Sequence, residues 1–137
     1  MVLVDTPIWS LALRRHATDL SPSELRLTHA LYALVQQRNV QLLGPIRQEV
    51  LSGIREEPQF RRIREHLRGF PHVELDSIDY EEAARISNQC RQRRIADSSV
   101  DMLLCAVALR HDWEIFTTDR DFVHYARVVP LEMFEIP

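Results

Sequence analysis

Short apolar runs alternating with helical stretches constrain this chain more than any other feature of it. VLV at 2–4, VQLL at 40–43, HVEL at 72–75 and WEIFT at 113–117 read as strands. An unbroken run such as VLV suits a central strand covered on both faces. Between the runs lie helix starts. Thr6 reads as a cap with Pro7 at the first helical position, and Ser21, Pro22 and Glu24 form a capping-box pattern. Gly44 and Pro45 open a third helix, Pro58 a fourth, and Asp79 with Glu82 a fifth. Ser98 opens the stretch SSVDMLLCAVALRHD, apolar on all sides from Met102 to Leu109 and so buried on more than one face. RVVPL at 127–131 reads as a last strand. The alternation predicts an α/β sandwich around a mostly parallel sheet.

The 137 residues suit one domain spanning 1–137. A chain of this size buries roughly two-thirds of its unfolded surface and needs neither a disulfide nor a metal merely to fold. Cys90 and Cys105 fall on separate predicted helices without zinc spacing, so they read as small buried side chains in a reducing compartment. No apolar run approaches the roughly 20 residues of a membrane span, and no leader is visible. The expectation is a cytoplasmic protein with no membrane segment. A net charge of −3 argues against a surface coated for nonspecific nucleic-acid binding. All 17 basic residues are arginine, which excludes any mechanism that needs a lysine.

In parallel α/β sheets, sites form beyond the carboxyl ends of the strands. Asp5 ends the first strand, and Asp119 follows the fourth by two residues. Glu49 lies early in the helix after strand two, and Asp101 in the first turn of the apolar helix leading to strand four. Each acid has a local explanation: a helix cap, a solvated face, a capping box, a turn. Four acids converging on one sheet edge is a different matter. Crowded carboxylates repel in a cleft and need raised pKa values or a cation. An all-oxygen cluster suits Mg²⁺ or Mn²⁺ rather than zinc, and such a site suits phosphoryl chemistry.

LVDTPIW, IRQEV, VDMLLCAVA and FTTDRDF, in that order, resemble the four acidic motifs of PIN-domain ribonucleases, and most nearly those of VapC-type toxins of toxin–antitoxin pairs. The resemblance covers nearly the whole chain. It implies a three-layer α/β/α sandwich with a metal-binding active site of Asp5, Glu49, Asp101 and Asp119. Thr117 would match the family's hydroxyl residue near metal and water, and Thr6 the small hydroxyl residue beside the first acid. The resemblance further implies a Mg²⁺- or Mn²⁺-dependent endoribonuclease acting on transfer or ribosomal RNA, a homodimer, and a cognate antitoxin that reaches a basic side chain into the acidic pocket.

Asp121 can take or share the position of Asp119, and Asp97, four residues before Asp101, can share its face. RNA binding must come from arginines near an acidic pocket. Arg61, Arg62, Arg64 and Arg68 form one candidate group and Arg91, Arg93 and Arg94 another; each also reads as a solvated helix face. A receiver-like phosphoacceptor domain would need a lysine, and an aspartyl-nucleophile phosphatase would need an acid at position 7, which is Pro7. The competing readings are an RNA- or protein-binding module with a weak metal site, and a DNA nuclease.

Overall fold

The computed structural model describes residues 1–137. A four-stranded sheet of β1 (Val2–Val4), β2 (Val40–Leu43), β3 (His72–Val73) and β4 (Glu114–Phe116) runs in the order β3-β2-β1-β4, with every pairing parallel. Seven helices flank it: α1 (Thr6–Leu13), α2 (Pro22–Gln36), α3 (Gly44–Leu51), α4 (Glu57–Arg68), α5 (Ser77–Gln92), α6 (Ser99–His111) and α7 (Asp121–Tyr125). The arrangement is an α/β sandwich. Helices α1 to α4 pack against one another, whereas α5 and α6 form a separate pair.

Burial explains the strand sequences. Every residue of β1 is fully buried, as an unbroken apolar run requires between two neighbours and two covered faces. The indole N–H of Trp9 donates to the Val4 carbonyl at 3.1 Å and so pins α1 onto β1, while the Trp9 ring meets Phe70 edge-on at 4.9 Å. Met102, Leu104, Cys105, Ala106, Val107 and Ala108 make α6 the most deeply buried helix, with Cys90 of α5 also buried beside it in the core.

Three local expectations are corrected. Asp5, not Thr6, is the cap of α1; Thr6 is the first helical residue. Pro7 has no N–H to offer, so the Asp5 carboxylate takes the N–H of Thr6 instead, at 2.8 Å. Asp76, not Asp79, caps α5: its side chain accepts from Ile78 N–H, and Asp79 supplies the reciprocal bond to the Asp76 N–H. RVVPL at 127–131 is not a strand. Its residues form turns after α7, and the chain pairs with β4 only at Met133, opposite Ile115. Pro130 has no N–H for a ladder there, whereas at 132–134 the Glu132 carbonyl and the Phe134 N–H both bond Ile115.

The antiparallel setting of α5 and α6 fixes what lies at each sheet edge. At one end Arg110 of α6 bonds Asp76 and Asp79 at the start of α5. At the other, Ser87 and Arg91 of α5 reach Asp97, just ahead of α6. The start of α6 therefore shares the carboxyl edge of the sheet with the starts of α1 and α3 and the end of β4.

Candidate active site

Asp5 reaches this edge because β1 has not quite ended: its N–H still donates to the Phe116 carbonyl of β4 at 2.9 Å. Its side chain is almost fully buried. One carboxylate oxygen takes the Thr6 N–H, and the other takes the Thr117 hydroxyl at 2.7 Å. Burial raises the Asp5 pKa to about 6; the Thr117 and Thr6 bonds oppose the rise, and the Asp101 and Glu49 charges add to it. Thr6 extends the group outward, donating its hydroxyl to exposed Glu49 at 2.6 Å. Glu49 stands one turn into α3, which opens with Pro45 and drives Ile46 and Val50 into the core.

Thr117 ties this half of the site to the other. It donates to Asp5 and accepts the N–H of Asp119 at 3.0 Å. Asp119 in turn accepts the N–H of Asp121, the first residue of α7, at 2.9 Å. Asp101 stands in the first turn of α6, where Ser98 caps the helix by accepting the Asp101 N–H at 3.2 Å. The oxygens of Asp101, Asp119 and Asp121 lie within 4.8 Å of one another. Burial also raises the Asp101 pKa, against bonds from Tyr125 and Ser98 and with the charges of Asp119 and Asp121. None of the molecule's ion pairs reaches any of these five acids.

The rim thus has two parts. Asp101, Asp119 and Asp121 make an ion-sized group, and Asp5 with Glu49 forms an adjoining pair held by two threonines. Asp121 sits inside the ion-sized group beside Asp119, so the pair shares that place. Asp97 does not join them: it accepts from the Ser87 hydroxyl at 2.5 Å and pairs with Arg91 at 3.6 Å. Sequence reasoning missed Tyr125, buried, whose hydroxyl donates to Asp101 at 2.8 Å. The available signal was its place four residues after Asp121, one turn along the same helix face.

The donor set is carboxylate oxygen alone. Three of them around one ion-sized space, with no histidine, cysteine or lysine among them, fit a hard divalent cation such as Mg²⁺ or Mn²⁺. A cavity of about 510 Å³ opens at the other edge of the sheet, near the start of β2, between Val35, Arg38, Val40, His66 and Phe70. No acid lines it, so the chemistry of the carboxyl edge has no counterpart there.

The two arginine groups differ in place. Arg91, Arg93 and Arg94 lie at the end of α5, on the acid edge; Arg93 donates to the Arg127 carbonyl at 2.7 Å, and Arg94 is exposed. Arg61 and Arg68 are spent on α4's own acids, Glu57 and Glu65, and Arg64 lies 3.8 Å from Glu65. Arg62 is exposed with no ion-pair partner. Arg68 closes α4 beside the cavity at the opposite edge.

The family model described as PIN domain matches residues 2–128. The chain is 28% identical to Ribonuclease VapC11 of Mycobacterium tuberculosis over 134 residues, 96% of each chain. Among solved structures it is similar to VapBC2 from Rickettsia felis bound to a DNA fragment from their promoter, with a TM-score of 0.76, 13% identity and 98% of both chains covered. FitAcB from Neisseria gonorrhoeae superposes with a TM-score of 0.74 at 18% identity, covering 98% of this chain and 97% of that one.

Proposed function

As the chain belongs to the PIN-domain family, we propose that it is a divalent-metal-dependent endoribonuclease, the toxin of a VapBC-type pair, hydrolysing phosphodiester bonds of transfer or ribosomal RNA in the cytoplasm. The observation that carries this reading is the convergence of Asp101, Asp119 and Asp121, with Asp5 and Glu49 alongside, on one edge without a cation of the chain's own. The likeness to a named ribonuclease along nearly the full chain points the same way. Residues 1–137 act as one nuclease domain. Its partners are RNA, a cognate antitoxin and a second copy of the chain.

Asp101, Asp119 and Asp121 would hold Mg²⁺ or Mn²⁺, with Asp5 and Glu49 completing the site directly or through water. When bound there, such an ion would supply Lewis-acid charge for a phosphate oxygen and lower the pKa of a water. The chain's residues do the rest. Thr117 holds Asp5 and Asp119 at fixed separation through its two hydrogen bonds. Glu49, oriented by Thr6, stands at the exposed side, placed to accept a proton from an attacking water. Arg91, Arg93 and Arg94 supply positive charge on the same edge for the flanking phosphates, where guanidinium groups bind bidentately.

Sequencing RNA ends after controlled expression tests this reading, with Asp101→Asn as control. New 5′-phosphate ends at defined positions in the wild type, absent from the variant, are expected. Equal cleavage by the two forms would refute the assignment.

A further inference from the structure

Among the side-chain hydrogen bonds at the carboxyl edge, one comes from a buried aromatic residue. The Tyr125 hydroxyl donates to Oδ2 of Asp101 at 2.8 Å. The Tyr125 side chain is 1% exposed, and its ring meets Phe122 edge-on at 5.1 Å. Phe122 is itself 1% exposed. The ring therefore has no freedom to follow a moving partner, and the phenol oxygen is a fixed point.

Besides Tyr125, the side chain that steadies Asp101 is Ser98, whose hydroxyl oxygen accepts the Asp101 backbone N–H at 3.2 Å and lies beside its carboxylate. No ion pair reaches Asp101, and its oxygen lies within 4.8 Å of those of Asp119 and Asp121. Left alone, a carboxylate crowded by Asp119 and Asp121 would rotate away from them. The Tyr125 bond opposes that rotation and leaves the second oxygen of Asp101 to an incoming cation.

We propose that Tyr125 is a positioning residue for the metal site, holding the Asp101 carboxylate in the orientation that joins it to Asp119 and Asp121. The geometry of α7 supports it. Asp121 opens this helix and Tyr125 lies one turn later, so one short element delivers both an acid of the group and the hydroxyl that aims another acid at it. Hydrogen bonds to ligating carboxylates commonly set metal affinity without touching the ion. This inference rests on the metal-dependent reading above.

Mn²⁺ binding by the full chain, followed by calorimetry and by the manganese electron-resonance signal, tests it in the wild type and in Tyr125→Phe. The substitution keeps the ring and removes only the hydroxyl. The expected result is a Mn²⁺ dissociation constant raised about 10-fold with the melting curve retained. A purely structural hydroxyl would shift melting and leave Mn²⁺ affinity alone. Affinity within two-fold of wild type, by the roughly 10-fold yardstick for such bonds, overturns the proposal while the metal-dependent reading stands. Failure of the wild type itself to take up Mn²⁺ overturns both.

Should Tyr125→Phe not fold, fluorotyrosine in the wild-type chain gives a second measurement. The other two tyrosines, Tyr32 and Tyr80, are 51% and 55% exposed, so Tyr125 stands apart from them. Mg²⁺ is expected to shift the Tyr125 fluorine resonance and leave theirs in place. No shift at Tyr125 would overturn the proposal.

Discussion

Acids gather at both ends of α6; those at its carboxyl end have a cation, whereas Asp101, Asp119 and Asp121 at its amino end have none. There, Arg110 bonds Asp79 at 2.8 Å and Asp76 at 3.3 Å, and the pairing with the α5 cap holds the Asp79 pKa down against the cost of burial. At the amino end, Asp101, Asp119 and Asp121 share an ion-sized space with hydrogen bonds only, and burial pushes Asp101 upward. The same helix thus carries a compensated cluster that ties it to α5 and an uncompensated one that costs stability. Crowded acids without a partner cation are a feature that functional sites share, and on them the proposed function rests.

Substitutions at the two ends should have opposite signs. The largest effect is expected from Asp101→Asn, which removes one charge from the crowded group. RNA cleavage should fall by roughly 100-fold or more while metal-free melting temperature holds or rises, measured on the same purified protein. A loss of fold would erase the contrast between the ends. Next is Arg110→Met, which strands buried Asp79 beside Asp76. Melting should drop by several degrees with cleavage intact at a temperature where both forms are folded. Unchanged melting would mean that the ion pair does not hold α5 to α6.

A smaller effect separates the ends by pH. Folded Asp5 binds its proton more tightly than the unfolded chain does, since its pKa rises from 3.8 to about 6. Its contribution to stability is therefore full below the unfolded value and is lost as pH rises through the folded one. Metal-free protein should be less stable at pH 7 than at pH 5 by about 1 kcal/mol from this group, by denaturant titration. Millimolar Mg²⁺ should offset the loss at pH 7 by binding the folded state alone. The smallest effect is expected from Ser98→Ala. Losing the α6 cap should cost about 1 kcal/mol and also loosen the Asp101 backbone, so stability and metal affinity should fall together.

What the sequence made legible follows the same division. The edge on which Asp5, Glu49, Asp101 and Asp119 meet was readable, because strand ends and helix starts are encoded in local patterns such as VLV followed by Asp5, or Ser98 before a buried run. The fine structure of the rim was not. That Asp119 and Asp121 both face Asp101 depends on the hydrogen bond that the Asp119 N–H donates to Thr117 and on where α7 begins, and both need the folded turn. Tyr125 escaped notice because an aromatic residue at that spacing reads as core, and its ring is indeed core; only the oxygen is not. Asp97 matched Asp101 in spacing, but α6 starts at Ser99, too late to carry Asp97 on its face, and Ser87 and Arg91 of α5 claim it. The last strand failed for a backbone reason. VVPL has the composition of a strand, yet the turns after α7 delay pairing until Met133.

The position of β1 has a temporal consequence. It lies between β2 and β4, so the residue that opens the site is made first while its lateral partner β4 is made more than a hundred residues later. During translation Asp5 waits without Thr117, and the Asp101 group waits without Asp119 and Asp121. The acid edge therefore cannot assemble until nearly all of the chain has been made.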